Sequence, residues 1–178
     1  MPPGQPAVPV PVRERPMPPD IVLRSEFLSD YLAVESLYRV TFGPGRLART
    51  AYRLRADIPH DTAVSFVAKR AGLVIGAIRQ SRVLVGGAPA YLLGPLAVAQ
   101  TAASQGIGRA LLNRSIEAAR QMPADAIILV GDEPFYGPFG FEVVPAGSLQ
   151  MPGPVEAHRL LAMPLRRLVA GRVKNAPW

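Results

Sequence analysis

The stretch from Leu96 to Val130 constrains the fold more than any other part of the chain. Leu96-Ala97-Val98 closes an apolar run, and Gln105-Gly106-Ile107-Gly108 then opens a segment free of further Gly or Pro until Pro123. Over 107–121, Leu111, Leu112, Ser115, Ile116 and Ala119 fall on one face of a helix, with Arg109, Asn113, Glu117 and Arg120 elsewhere. Ala126 to Val130 is a continuous apolar run of five, the pattern of a strand covered on both faces. Strand, Gly-rich turn, helix and strand make a βαβ unit, so its two strands are expected to be parallel neighbours.

Upstream the grammar differs. Ile21 to Arg24 reads as a first strand, and Asp30 stands where an N-cap would, before a helical stripe through Val34 and Leu37-Tyr38 that ends by Gly43-Pro44. Leu47 to Ala56 repeats the helical pattern, with Arg49, Arg53 and Arg55 expected toward solvent, and Pro59-His60-Asp61 breaks it. Ala63 to Lys69, Leu73 to Leu84 and Tyr91 to Val98 are β-branched or apolar runs joined by short Gly-containing turns, which predicts an antiparallel meander. Downstream, a short helix fits Glu133 to Phe139, and strands fit Phe141 to Val144 and Arg159 to Met163. The fold class is α+β: a mixed, mostly antiparallel sheet with a βαβ unit and helices on both faces. Residues 1–19 read as a Pro-rich tail, 20–165 as the domain and 166–178 as a basic C-terminal tail.

Composition narrows the chemistry. The 178 residues contain no Cys and only His60 and His158, so disulfides, thiolate metal sites, Cys nucleophiles and an all-histidine zinc site are excluded and no metal is expected. No apolar run is long enough to span a bilayer, and the Pro-rich start has no signal-peptide core, so a cytoplasmic protein without membrane attachment is expected. The formal net charge of +7 comes almost wholly from singly scattered Arg without interleaved aromatics, so no nucleic-acid partner is expected. An anionic small molecule would feel the same field.

The turn at 104–109 is where such an anion fits. Amides at a helix start lack intrahelical acceptors and lie at the positive end of the helix dipole. Gly106 and Gly108 remove the Cβ atoms that would hold an anion away, which makes Ser104, Gln105, Gly106, Ile107, Gly108 and Arg109 a candidate pyrophosphate cradle. The same glycines also suit a tight turn with close helix-to-sheet packing. Leu111 stands where a dinucleotide fingerprint needs a third small residue, and no Lys lies near enough for a nucleoside-triphosphate loop.

The run Leu93-Gly94-Pro95-Leu96-Ala97-Val98, followed by Gln105-Gly106-Ile107-Gly108-Arg109-Ala110-Leu111-Leu112, resembles the GNAT superfamily of acetyl-CoA-dependent N-acetyltransferases. Gly131-Asp132-Glu133-Pro134-Phe135-Tyr136-Gly137-Pro138-Phe139-Gly140-Phe141 resembles that superfamily's late helix and strand, in particular a bacterial branch with Y-G-x-F-G-F. The similarity covers about residues 20–165.

The resemblance implies acetyl-CoA as cosubstrate and direct acetyl transfer to an amine. The family's [Q/R]-x-x-G-x-[G/A] motif reads Ala103-Ser104-Gln105-Gly106-Ile107-Gly108 here, with the first side chain missing, so the backbone donors remain and one polar anchor does not. Leu96, Ala97 and Val98 would pair their main chain with the pantetheine arm, Gly94-Pro95 would mark a bulge, and the Val98 amide would face the developing oxyanion. Tyr136 is implied as the acid that protonates the departing thiolate; a core Tyr that only packs its ring is the plainer alternative.

Many relatives carry a Glu on the central strand, where this chain has Leu96-Ala97-Val98. Glu35, Asp132, Glu133, His60 and His158 are the remaining candidate bases. The acceptor is not named by the sequence. Arg46, Arg49, Arg53 and Arg55, with Asp57 and Asp61, lie in the region that shapes the acceptor pocket in this family, and would suit an acidic acceptor, although alternating charges on a helix also mark a wet face. Dimerisation is common in the family. The missing motif side chain and strand Glu also fit a non-catalytic acyl-CoA-binding sensor or accessory module.

Overall fold

The computed structural model describes residues 16–56, 58–175 and 178. Residues 1–15 of the expected Pro-rich tail, and Asp57, lie outside them. Among the described residues there are nine strands and four α-helices.

The chain opens with β1 (Ile21–Ser25) and α1 (Tyr31–Phe42), then α2 (Thr50–Ala56) and the meander β2 (Phe66–Arg70), β3 (Leu73–Val85) and β4 (Ala88–Val98). Next come α3 (Ile107–Arg120), β5 (Ala126–Val130), α4 (Glu133–Tyr136), β6 (Glu142–Val143), β7 (Leu149–Gln150), β8 (Leu160–Pro164) and β9 (Gly171–Asn175). The main sheet runs β1-β2-β3-β4-β5-β8-β6. Within it only β4 and β5 are parallel, as the βαβ reading requires.

Alternation along the strands sorts the core into two faces. Phe66, Ala68, Ile78, Tyr91, Leu93, Ile127 and Leu129 pack with Ile107, Leu111, Leu112 and Ile116 of α3. On the other face Val67, Ala77 and Ala97 meet Val34, Leu37 and Tyr38 of α1, while Leu92 and Ile128 meet Leu54 of α2. Both parities of β5 are thus buried, which is why Ala126–Val130 reads as an unbroken apolar run. Gly76 of β3 admits α3: a Cβ there would lie 3.0 Å from both Ile107 Cγ2 and Leu111 Cδ1. Buried polar ties cross this interface at Ser115: Gln80 Nε2 donates to its Oγ at 2.7 Å, and that Oγ donates to Val64 O at 2.6 Å.

One expectation is met in position only, and two need correction. Asp30 does stand at the N-cap position of α1 but makes no side-chain capping bond; its carboxylate accepts the Phe27 N–H and pairs with Arg24 and Lys69. Arg55 does not point to solvent with Arg53, because α2 turns it under the sheet toward Leu93. The segment 166–178 is not simply an appended tail: β9 pairs with the Val83–Val85 end of β3, Val173 is buried, and Trp178 stacks edge-on against Tyr91 at 5.1 Å. At the other end, Met17 of the expected N-terminal tail packs on the core. No helix among the described residues is long and apolar enough to cross a membrane.

Candidate active site

Two parallel strands that part company create the site. β4 and β5 are paired only through Ala90–Leu92 and Ala126–Ile128; beyond that β5 continues along β8, and the edge of β4 from Leu93 to Val98 opens. A bulge sits at the parting point, where the β3 register skips from Ile78 opposite Leu96 to Gln80 opposite Leu93. Gly94 and Pro95 are the extra residues, as expected, and Pro there removes a donor from an edge that is not paired. Ala99 N–H donates to Ile75 O, so by strand alternation the Leu96 and Val98 amides point away from β3, toward the open edge.

A cleft of about 1330 Å³ lies along that edge. Leu96, Ala97 and Val98 form one wall; Ser104, Gly106, Ile107, Gly108 and Arg109 form its end at the start of α3. Gly106 takes φ +80 and Ser104 φ +62, a left-handed pair that turns the chain sharply into the helix. The first main-chain bond of this region is Ala110 N–H to Gly106 O, and the amides of 104–109 donate to no main-chain acceptor among the described residues. A Cβ at Gly108 would meet nothing closer than Val98 Cγ2 at 3.6 Å, so internal packing leaves room over this turn. Unpaired amides at the start of a fourteen-residue helix, with open space in front, suit a pyrophosphate.

Of the expected cradle residues Ser104 to Arg109, Gln105 alone does not line the cleft. Its side chain is pulled outward, accepting from Arg70 Nη2 at 2.6 Å. Arg109 lines it with its guanidinium 5.3 Å from the Phe139 ring centroid. Ala103 also lines it, in the place where the motif would have a polar side chain.

A second cavity, of about 870 Å³, lies on the α2 side of β4. The two cavities share three residues: Leu96, Asp132 and Tyr136. Tyr136 is held by edge-on contacts with Phe135 at 4.9 Å and Phe141 at 5.8 Å, and its ring lies where a Cβ at Gly131 would come within 2.5 Å of Cε2. Burial pushes its phenol up to about 12, against the opposing pull of the Arg55 charge, so the hydroxyl is protonated at neutral pH. Among the described residues it makes no hydrogen bond with the protein, which leaves the proton for a ligand.

The candidate bases separate by position. Glu35 is bound to Arg79 at 2.5 Å, and His60 sits 3.3 Å from the buried Glu26, with its pKa lowered chiefly by burial; neither lines a cavity. His158 is exposed beside Glu156, and Glu133 lies back against Gly137. Only Asp132 reaches both cavities. It stands at the N-cap position of α4 without a side-chain capping bond, its Oδ1 3.1 Å from Arg159 Nε. Among the described residues no group of three or more His, Asp or Glu is placed to hold a metal. Sequence reasoning missed Tyr52, Glu156 and Arg159 on the second cavity.

Residues 61–143 match the acetyltransferase (GNAT) domain family. Among solved structures, the chain is similar to a GNAT family N-acetyltransferase (YhbS) from Escherichia coli in complex with CoA, with 24% identity, 93% of each chain covered and a TM-score of 0.74. It is also similar to a GNAT family acetyltransferase from Brucella melitensis in complex with acetyl-CoA, with 26% identity, 88% of this chain and 96% of that one covered and a TM-score of 0.63. A third, more distant likeness is to Arabidopsis thaliana Naa50 in complex with a bisubstrate analogue, at 19% identity, 80% and 97% coverage and a TM-score of 0.56. No curated protein matches by sequence.

Proposed function

We propose that this chain, a GNAT-superfamily protein by its matched domain and its fold, transfers the acetyl group of acetyl-CoA directly to a primary amine. The observation that carries the reading is the junction: a cleft with unpaired helix-start amides meets a second cavity at Leu96, Asp132 and Tyr136. When bound, acetyl-CoA supplies an activated acyl carbonyl and a thiolate leaving group.

The chain's own groups then have distinct tasks. The amides of Ser104 to Arg109 hold the pyrophosphate, assisted by the Arg109 charge. The open edge of Leu96 to Val98 offers its main chain to the amides of the pantetheine arm, as an added strand would. The Val98 N–H is aimed at the oxyanion that develops as the amine nitrogen bonds to the carbonyl carbon and the C–S bond breaks. Tyr136 gives its proton to the departing sulfur and is replenished from solvent. Asp132 receives the proton that the acceptor ammonium loses before attack, directly or through water, because among the described residues it is the one acidic group that borders both cavities; the second nitrogen proton passes to solvent as the amide forms.

Calorimetric titration with acetyl-CoA, CoA and NAD tests the first cavity, and thiol release over a panel of amines tests the second. Binding of acetyl-CoA with thiol release supports the reading; no affinity for either CoA species overturns it. A non-catalytic acyl-CoA sensor is favoured by Ala103 in the motif's first position and by the absence of a carboxylate on β4, and tight binding without thiol release from any amine would select it.

A further inference from the structure

We propose that the second cavity is built for an acceptor carrying a carboxylate together with its amine. The inference rests on the acetyl-transfer reading above and adds the class of acceptor.

Arg55 carries the argument. Its guanidinium crosses from α2 to β4, where Nη2 donates to Leu93 O at 3.2 Å, and a Cβ at Gly94 would lie 2.8 Å from that nitrogen. Gly94, at φ +116, is what lets the cation approach the strand. Nε is buried without a partner. Arg24, Arg79, Arg82, Arg159 and Arg167 each hold an Asp or Glu, whereas no carboxylate among the described residues pairs with Arg55. Burial pulls its pKa down to about 10, so it is still charged at neutral pH. A desolvated, unpaired cation is costly, and a guanidinium with unused donors in a fixed fork matches a carboxylate.

A second, independent group points the same way. Tyr52, whose ring centroid lies 5.4 Å from the Arg55 guanidinium carbon, has a buried hydroxyl with no partner and lines the same cavity. Asp132 and Glu156 also line it and would attract the acceptor's ammonium group. A cavity with an unpaired cation and phenol beside acidic groups suits an amine and a carboxylate on one small molecule.

The test measures kcat/KM for thiol release with free L-amino acids and with their carboxamides. The amides have the more readily deprotonated amines, so intrinsic reactivity favours them. We expect wild type to prefer the carboxylates about tenfold or more, and Arg55→Gln to abolish that preference through KM. Should Arg55→Gln fail to fold, Tyr52→Phe is expected to reduce the preference severalfold. Calorimetry of N-acetylglycine against N-acetylglycinamide, with CoA present, reads the same subsite without turnover and should favour the carboxylate. Equal or better use of the amides by wild type, or a preference that survives Arg55→Gln, would overturn the proposal. Failure of the underlying reading looks different: no CoA binding at all, or CoA binding with no thiol release from amide or carboxylate substrates.

Discussion

At Tyr136 the burial that raises the phenol's pKa also keeps it protonated at neutral pH, as the proposed acid must be. It is packed between Phe135 and Phe141 and lines both cavities. Tyr136→Phe should lower kcat by about a hundredfold, within the usual span of general-acid contributions, while calorimetry shows acetyl-CoA affinity little changed. A wild-type rate in the Phe variant would reduce Tyr136 to a packing residue. Asp30 offers a stability counterpart. Buried, and hydrogen-bonded to Arg24 at 2.6 Å and Lys69 at 3.2 Å, its carboxyl is held well below the usual carboxylate range, mainly by the Arg24 bond. A lowered folded pKa means that the stabilisation is complete above the unfolded carboxylate's pKa and is lost as pH falls through the folded one. Asp30→Asn should therefore cost about 1–3 kcal/mol at pH 7 in urea unfolding, and the gap to wild type should narrow steadily below pH 4. A gap that is constant with pH would show that the charge contributes nothing.

Between β5 and α4, the connection Gly131-Asp132 sets the position of the Tyr136 ring, the proposed acid. A Cβ at Gly131 would meet Tyr136 Cε2 at 2.5 Å and Leu129 Cδ1 at 3.0 Å, so Gly131→Ala must displace the phenol ring. Kinetics should show a fall in kcat comparable to that of Tyr136→Phe, and thermal unfolding a loss of about 1–3 kcal/mol from overpacking. A full-rate alanine variant would mean that the ring position is not critical. This element scale is also where the sequence was most readable. Repeating apolar positions draw α3, β5 and the meander directly, and Gly94-Pro95 betrays the bulge because Pro cannot serve a paired strand. What escaped has no local pattern. β7 and β9 are short and carry Gln, Gly, Arg and Lys, and they exist because β9 finds the end of β3. Arg55 escaped because Arg49, Arg53 and Arg55 in one expected helix look like a wet face, although Arg55 stands four residues after Ala51, on the cavity side, and not with Arg53. The outward pull of Arg70 on Gln105 joins residues 35 positions apart and leaves no trace in either neighbourhood.

Across the whole molecule, β3 and β4 link two ends with separate duties. One end, near Gly76–Ile78, backs the open edge of β4 and the α3 turn; the other, at Val83–Val85, is sealed by the C-terminal segment. There Val173 is buried, Trp178 Nε1 donates to Val83 O at 3.0 Å, and the indole lies under Arg82 and against Tyr91, whose hydroxyl in turn holds Asp61 at 2.7 Å. Removing residues 171–178 would bare one aliphatic and one aromatic core contact and leave the Val83–Val85 edge unpaired. From burial alone that should cost about 3–5 kcal/mol, seen as a clear fall in Tm. Because the lost contacts lie at the far end of the strands from the helix-start amides, the truncated protein, held below its new Tm, should still bind acetyl-CoA with little change in calorimetry. An unchanged Tm would show that β9 is dispensable, and loss of binding in a folded truncation would show that the two ends are mechanically coupled through β3 and β4.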